Sequence, residues 1–257
     1  MSVYIHSTAI VSAGAQLGEN VRIGPFSIVK DDVIIGDNTE IFSSAYIDDG
    51  ARIGKDCRLF PGVVISTEPQ DLKYKAEKTL AIIGDRNDIR EYATIHRGTS
   101  TGKTVIGSDC MIMAYVHIAH DGRVGNNVII ANATQFGGHV EIEDWAILGG
   151  VVKVHQFCHI GCHAMIGADV KIVKEVPPYT LMGKDPAKVE GINKIGLRRR
   201  GFSNETIDEI DTFYNVILHS GLNISDGIAK YMEREYICPE VQHCIEFIRA
   251  SKRGIHN

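Results

Sequence analysis

The chain has 257 residues, a formal net charge of −5 and a sequence pI near 6.1. At 44% hydrophobic and 23% charged it has enough apolar residues for a packed core, and its mild acidity, with no basic run longer than Arg198-Arg199-Arg200, excludes a general nucleic-acid binder. No stretch approaches the ~18 apolar residues of a membrane span, Met1 to His6 lacks a leader's charged and apolar regions, and six cysteines without a CxxC pair suit a reducing compartment, so a cytoplasmic protein is expected.

The first element is a repeat. Stepping by six from Ile5 meets Val11, Leu17, Ile23, Val29, Ile35, Ile41, Ile47, Ile53, Leu59 and Ile65, all aliphatic. A second run holds Ile83, Ile89 and Ile95. After a five-residue slip, a third runs from Ile106 to Ile172, and only Phe136 breaks the aliphatic rule. Four places after each anchor the residue is usually small or β-branched, as at Ala9, Val21, Ser27, Thr39 and Cys57, and Gly often follows the anchor directly. A period of six matches neither a helix nor a plain strand. It matches a parallel β-helix of hexapeptide repeats, in which anchors point inward, three hexads close a triangular coil and residues 18 apart stack.

Two segments leave the period. Over 66–82 the anchor slots fall on Asp71 and Glu77, which are unfit for an interior, so a loop containing Gln70-Asp71-Leu72-Lys73-Tyr74 is expected to project from the prism. A smaller insertion is expected at 101–105. Long loops on a compact scaffold are often functional. The repeat ends near Pro177-Pro178, so 1–190 is read as the β-helix and 191–257 as a helical domain that caps its open end. Ser203 is an N-cap candidate for a stripe of Ile207, Ile210, Tyr214, Ile217 and Leu218. Ser225 is read as capping a second helix with Ile228, Tyr231 and Met232 inward. Pro239 opens a third, carrying Val241, Cys244, Ile245 and Ile248.

Of eleven histidines, His96, His117, His120, His139, His155, His159 and His163 lie in the second part of the repeat. Stacking by 18 places His120-Asp121, Gly138-His139 and His155-Gln156 in one ladder on an outer edge, and none fills an anchor slot. Flat prism faces make poor pockets, so such a ladder is expected to form a cleft only against a second prism, which implies an oligomer. Three chemistries fit. A neutral imidazole with an ordinary pKa of ~6.5 serves as a general base, with Asp121 to orient it and an exposed Gly138 amide as oxyanion donor. Alternatively His117, His120 and a third histidine hold zinc for a hydratase. In the third, the prism is only a rigid binding module. Cys158-His159 and Cys162-His163 have C-x₃-C spacing, and Cys158 falls in the inward small slot, so no metal site is assigned there. No G-x-S-x-G motif supports a covalent acyl-enzyme.

Taken together, the hexads, Gln70-Asp71-Leu72-Lys73-Tyr74, Thr94-Ile95-His96-Arg97-Gly98, His117-Ile118-Ala119-His120-Asp121, Gly138-His139, His155-Gln156-Phe157, Val176-Pro177-Pro178-Tyr179 and Arg199-Arg200-Gly201-Phe202 resemble the UDP-N-acetylglucosamine O-acyltransferases that open lipid A synthesis. The resemblance runs end to end. It implies a mainly β, left-handed parallel β-helix with a C-terminal helical domain, assembled as a homotrimer without a cofactor. It implies transfer of an (R)-3-hydroxyacyl group from acyl carrier protein to the 3-hydroxyl of UDP-N-acetylglucosamine. His120 matches the general base, Asp121 its acidic partner and Gly138 the oxyanion amide. His96, His117, His139 and His155 match cleft histidines, and Gln156 a residue near acceptor or donor. Gln70, Asp71 and Lys73 match sugar-nucleotide contacts, as do Asn193, Arg199 and Arg200 near the nucleotide, where Ile195 replaces a frequent Glu. Met165 and Ala168 match the acyl-chain groove, and the small Ala168 fits a long chain. Lys171, Lys174 and Arg198 to Arg200 are candidates for docking the acidic carrier. The alternatives carried with this reading are the zinc hydratase of the same fold and an N-acyltransferase acting on a related amino sugar.

Overall fold

A computed structural model describes residues 2–257. Strands of mostly two residues follow one another every six residues and assemble into three parallel sheets. Sheet I starts at Tyr4–Ile5, sheet II at Ile10–Val11 and sheet III at Gln16–Leu17, and the chain visits them in that order on each turn. The result is a left-handed parallel β-helix. Anchors pair with anchors: Ile5 with Ile23, Ile23 with Ile41, Val11 with Val29. The step is 18 residues except across the two excursions, where Leu59 pairs with Ile89 and Ile95 with Ile118, and into the last coil, where Ile166 pairs with Met182.

Most corners turn on one residue of positive φ, three places after the anchor. Asn20, Asn38, Asp56, Asp109 and Asn127 occupy such positions, the types that tolerate this conformation best. Tyr92 and Tyr115 also occupy it, and their rings stack at 5.3 Å, so contact between coils offsets the local strain. Inside, aliphatic anchors and the small residues beside corners form one continuous core from Val21 to Met182. Ser27, Thr39, Asn87 and Thr134 in the small slot are satisfied by backbone. Asn87 donates to the Gly84 and Gly107 carbonyls (2.9 and 2.8 Å) and accepts from the Cys110 N–H at 2.8 Å.

The excursions are displaced from their expected limits. Strands Val64–Thr67 and Leu80–Ile83 extend into the expected long loop, leaving 68–79 outside the sheets. The shorter excursion is 97–102, because Lys103–Ile106 is already a sheet III strand pairing with Leu80–Ile83. Both leave from sheet II and return to sheet III.

The last coil is closed by an antiparallel pair, Thr180–Gly183 with Lys188–Ile192. Four helices follow: α1 (Lys194–Arg199), α2 (Asn204–His219), α3 (Ile224–Tyr231) and α4 (Pro239–Ala250). Helix α1, only six residues long, carries too short a pattern to be found from sequence. Ser203 caps α2, accepting from the Thr206 N–H at 3.1 Å. Helix α3 is capped by Asn223, not Ser225, because Asn223 reaches the Asp226 N–H at 2.9 Å. Met232, expected inward, is exposed one residue past that helix. The helices bury their own core around Phe213, Tyr214, Tyr231 and Ile245, separate from the prism core. They are tied to the last coils by the Tyr214 hydroxyl, which donates to the Pro178 carbonyl at 2.8 Å, and by the tail, where the His256 N–H donates to the Glu175 carbonyl at 3.0 Å.

Ile130 is fully buried in the middle of the stack, where rigid coils on both sides limit collapse. Ile130→Ala is therefore expected to cost about 2–5 kcal/mol. Denaturant or thermal unfolding measures it, and a loss under about 1 kcal/mol would mean the interior repacks freely.

Candidate active site

One prism edge, between sheets II and III, collects most of the chemistry. Both excursions leave from it, and His120-Asp121, Gly138-His139 and Gln156-Phe157 form its successive corners. The Asp121 carboxylate is its centre. It is buried and accepts five hydrogen bonds: the Thr99 N–H (2.9 Å), the Thr101 N–H (3.1 Å), both threonine hydroxyls and His120 Nδ1 at 2.9 Å. Burial alone would push this carboxyl up, but hydrogen bonds from Thr101, Thr99 and His120 outweigh it and hold it well below the usual carboxylate range. An ionised acceptor fixes the His120 tautomer: Nδ1 carries the proton and Nε2 keeps its lone pair.

His139 crosses His120 edge to face at 5.2 Å and stacks on Phe157 at 4.6 Å. Gly138 is buried beneath His120, not exposed as expected. A Cβ at Gly138 would meet His120 Cε1 at 2.5 Å, so only glycine lets the imidazole lie against the backbone. The Gly138 N–H has no acceptor among the described residues. The contrast with the neighbouring edge, between sheets III and I, is direct. There the equivalent amides of Lys55, Ser108 and Asn126 donate to Asp85, Asn126 and Asp144 side chains of the next coil, at 3.0, 2.9 and 2.7 Å.

Behind His120 lie two more imidazoles. His117 Nδ1 shares a 2.8 Å hydrogen bond with the Thr94 hydroxyl, and its ring meets His96 at 4.8 Å. His96 is buried with Nδ1 unpaired. Burial, reinforced by His117 and His120, pulls His96 down to about 4, and burial followed by His120 also lowers His117.

The long loop folds over this edge. Arg97 holds it in place, donating to the Tyr74 hydroxyl from Nε (3.1 Å) and Nη2 (2.9 Å) and to the Ser66 carbonyl at 3.1 Å. Asp71 and Lys73 thereby face His139 and Phe157 across a cleft of about 370 Å³ that Thr99 and Ser100 help to line. This corrects the expectation that a cleft needs a second prism: one chain forms a cleft because its loop supplies the opposite wall. Gln70 is exposed on the same loop. His155 and Gln156 are exposed on the coil below, with His155 Nδ1 3.0 Å from the Gln156 carbonyl oxygen and no contact to the upper histidines.

Other expected residues lie elsewhere. Asn193 is consumed in structure, accepting from the Gly196 N–H (3.1 Å) and donating to the His163 carbonyl (3.0 Å). Arg200 donates to His163 Nδ1 at 3.1 Å and covers Trp145 at 5.2 Å, on the edge between sheets III and I. Arg199 is exposed on α1, one turn after the exposed Ile195. Met165 lies on sheet I and Ala168 on the corner after it. Thr99 and Thr101 were not singled out from sequence, and Arg97 and Phe157 stood in family motifs without a role. Only the odd spacing of the short excursion marked where the threonines sit.

Two groups bring metal-binding atoms within 4.8 Å of one another: His120, Asp121 and His139, and Glu143, Cys162 and His243. In the first, the Asp121 lone pairs are already committed, so a cation there would have to displace threonine hydrogen bonds.

Residues 175–256 match the family model for the second domain of UDP-N-acetylglucosamine O-acyltransferase, and 103–134 match the bacterial transferase hexapeptide repeat. The acyl-[acyl-carrier-protein]–UDP-N-acetylglucosamine O-acyltransferase of Janthinobacterium sp. (strain Marseille) is 45% identical over 257 residues, 98% of each chain. That of Thermodesulfovibrio yellowstonii is 46% identical over 253 residues, again 98% of each. Among solved structures, the UDP-N-acetylglucosamine acyltransferase of Bacteroides fragilis 9343 superposes with a TM-score of 0.96 at 44% identity, covering 98% of this chain and 100% of that one. The Francisella novicida enzyme gives 0.93 at 38%, covering 98% and 93%.

Buried imidazoles make stability pH-dependent. His96 and His163 are both held near 4, the latter by burial and then the Arg200 cation. Unfolded, each takes up a proton near 6.5; folded, neither does until about pH 4. The contribution of these two histidines is therefore expected to be complete above pH 6.5 and to be lost towards pH 4, by on the order of 3 kcal/mol each. Thermal melts of wild type and His96→Gln across that range measure it. Parallel curves would show that His96 contributes nothing to the slope.

Proposed function

The chain belongs to the UDP-N-acetylglucosamine O-acyltransferase family, and we propose that it transfers an (R)-3-hydroxyacyl group from acyl carrier protein to the 3-hydroxyl of UDP-N-acetylglucosamine, the first step of lipid A synthesis, in the cytoplasm. The observation that carries the mechanism is the five-bonded Asp121 carboxylate holding His120 Nδ1. It leaves Nε2 as a proton acceptor beside the uncommitted Gly138 amide. His120 Nε2 takes the proton of the sugar hydroxyl as that oxygen bonds the thioester carbonyl carbon. The Gly138 N–H meets the resulting oxyanion, and collapse breaks the carbon–sulfur bond as His120 returns the proton to the carrier thiol. Asp121 remains ionised and stabilises the imidazolium. Asp71 and Lys73 on the loop, with His139, hold the sugar in the cleft. His155, Gln156 and the exposed Lys171 and Lys174 on the coils below form the side from which an acidic carrier approaches. The same saturation of Asp121 disfavours the zinc-hydratase alternative.

The placement of the remaining residues supports a homotrimer. Arg199 and Arg200, matched to the nucleotide, lie away from the His120 edge of the same prism. A site using both is assembled from different edges of neighbouring chains, in a heterologous interface that closes into a ring. Ile195 then leaves the nucleotide end without the carboxylate that relatives often carry.

His120→Ala is expected to lower single-turnover transfer ~10²–10⁴-fold with the fold retained, since the side chain fills no core slot. Wild-type transfer would remove the assignment. Gly138→Ala is expected to impair transfer by displacing the imidazole. Subunit sharing is tested by mixing: co-assembled His120→Ala and Arg199→Ala chains are expected to regain activity that neither homotrimer has, because some interfaces then pair two intact edges. If light scattering gives a monomer of full activity, or mixing restores nothing, the shared site is wrong.

A further inference from the structure

A second cluster lies away from the histidine edge, where the prism meets the helices. Glu143 follows a sheet III anchor, Cys162 lies in the corner one coil below, and His243 projects from α4. His243 Nε2 is 2.8 Å from one Glu143 carboxylate oxygen, and His159 Nε2 is 3.0 Å from the other. The Cys162 N–H donates to Glu143 at 2.8 Å. The His159 ring is itself held against Phe247 of α4 at 4.5 Å. The ligand atoms of Glu143, Cys162 and His243 all lie within 4.8 Å of one another.

We propose that Glu143, Cys162 and His243 form a structural divalent-metal site, suited to zinc, that staples helix α4 to the β-helix. The donor set is thiolate, imidazole and carboxylate, the ligand types of zinc, at a separation that an ion between them would tighten. His159 donates to the far carboxylate oxygen and orients the ligating one, the arrangement by which outer groups position metal ligands. Cys162 differs from the other five cysteines, all of which are buried, in being partly accessible to an incoming ion. The inward Cys158, set aside on sequence, stays out of the set: burial pushes its thiol up to about 11. On binding, the metal–sulfur bond forms as the thiol proton passes to solvent. The ion replaces the direct His243–Glu143 contact. The site joins two neighbouring coils to α4, and it lies away from the His120-Asp121 edge.

The test uses the reduced, chelator-treated full chain and one equivalent of Co²⁺. A thiolate-to-cobalt charge-transfer band with strong tetrahedral visible bands is expected, displaced by Zn²⁺. Cys162→Ser should abolish the charge-transfer band, and His159→Ala should weaken binding ~10–100-fold. Loading should also slow hydrogen exchange of the α4 amides. Should Cys162→Ser misfold, His243→Gln, a part-exposed position outside the helical core, is expected to lose the tetrahedral bands. Absence of a thiolate band in wild type would show an ion-pair network only and overturn the proposal. So would a band that persists in Cys162→Ser, which places the metal elsewhere.

Discussion

Everything in this molecule depends on the narrowness of the coil interior. Three two-residue strands enclose room for one aliphatic anchor per face and one small residue beside each corner, and the next coil repeats the demand directly below. Ile23, Ile41 and Leu59 stack in register because displacement of one would open a void for both neighbours. The anchors therefore stay apolar, while corner residues project outward and are free to carry chemistry. An insertion is tolerated at a corner for the same reason: the sheets resume register after it, as Leu59 with Ile89 shows.

That division explains what the sequence made legible. The prism, its three-fold phase and the stacking of His120, Gly138 and Gln156 follow from counting, because interior packing enforces the count. The corner conformation was hidden: Phe157 and Tyr115 adopt positive φ against their intrinsic preference, and only stacking between coils reveals why. The excursions broke the count, so their edges were misplaced, and Thr99 and Thr101 went unnoticed although they hold the central carboxylate. Arg97 lay inside a quoted motif, but its role as the loop's anchor depends on Tyr74, 23 residues away. Asn193 shows the converse. Its family match points to the nucleotide, yet its side chain is spent on capping α1 and on the His163 carbonyl.

The helical region follows weaker rules. A 3.6-residue stripe located α2 and α4, whose burial runs over several turns. It misjudged the cap of α3, where Asn223 and Ser225 are two residues apart and both are good capping types. Nothing local decides between them; the turn arriving from α2 does.

The edge proposed as catalytic differs from its neighbour less in what it contains than in what it withholds. Between sheets III and I, corner amides are capped by Asp, Asn and Ser side chains of the next coil, a ladder that closes the edge and stiffens the stack. Between sheets II and III the first coils do the same, Asp31 and Asp49 accepting from the Gly14 and Asp32 amides, but lower down Asp121 turns instead to the excursion at 97–102 and to His120. Below it stands Gly138, with no side chain to occupy the space that the imidazole takes. The result is an ionised carboxylate with no capacity left, an imidazole whose remaining lone pair faces outward from it, and a backbone N–H without a protein acceptor. Each is unfavourable in isolation for a folded edge. Together they offer a proton acceptor and an anion donor fixed to a scaffold too tightly packed to relax around them, which is the preorganisation that the proposed acyl transfer requires.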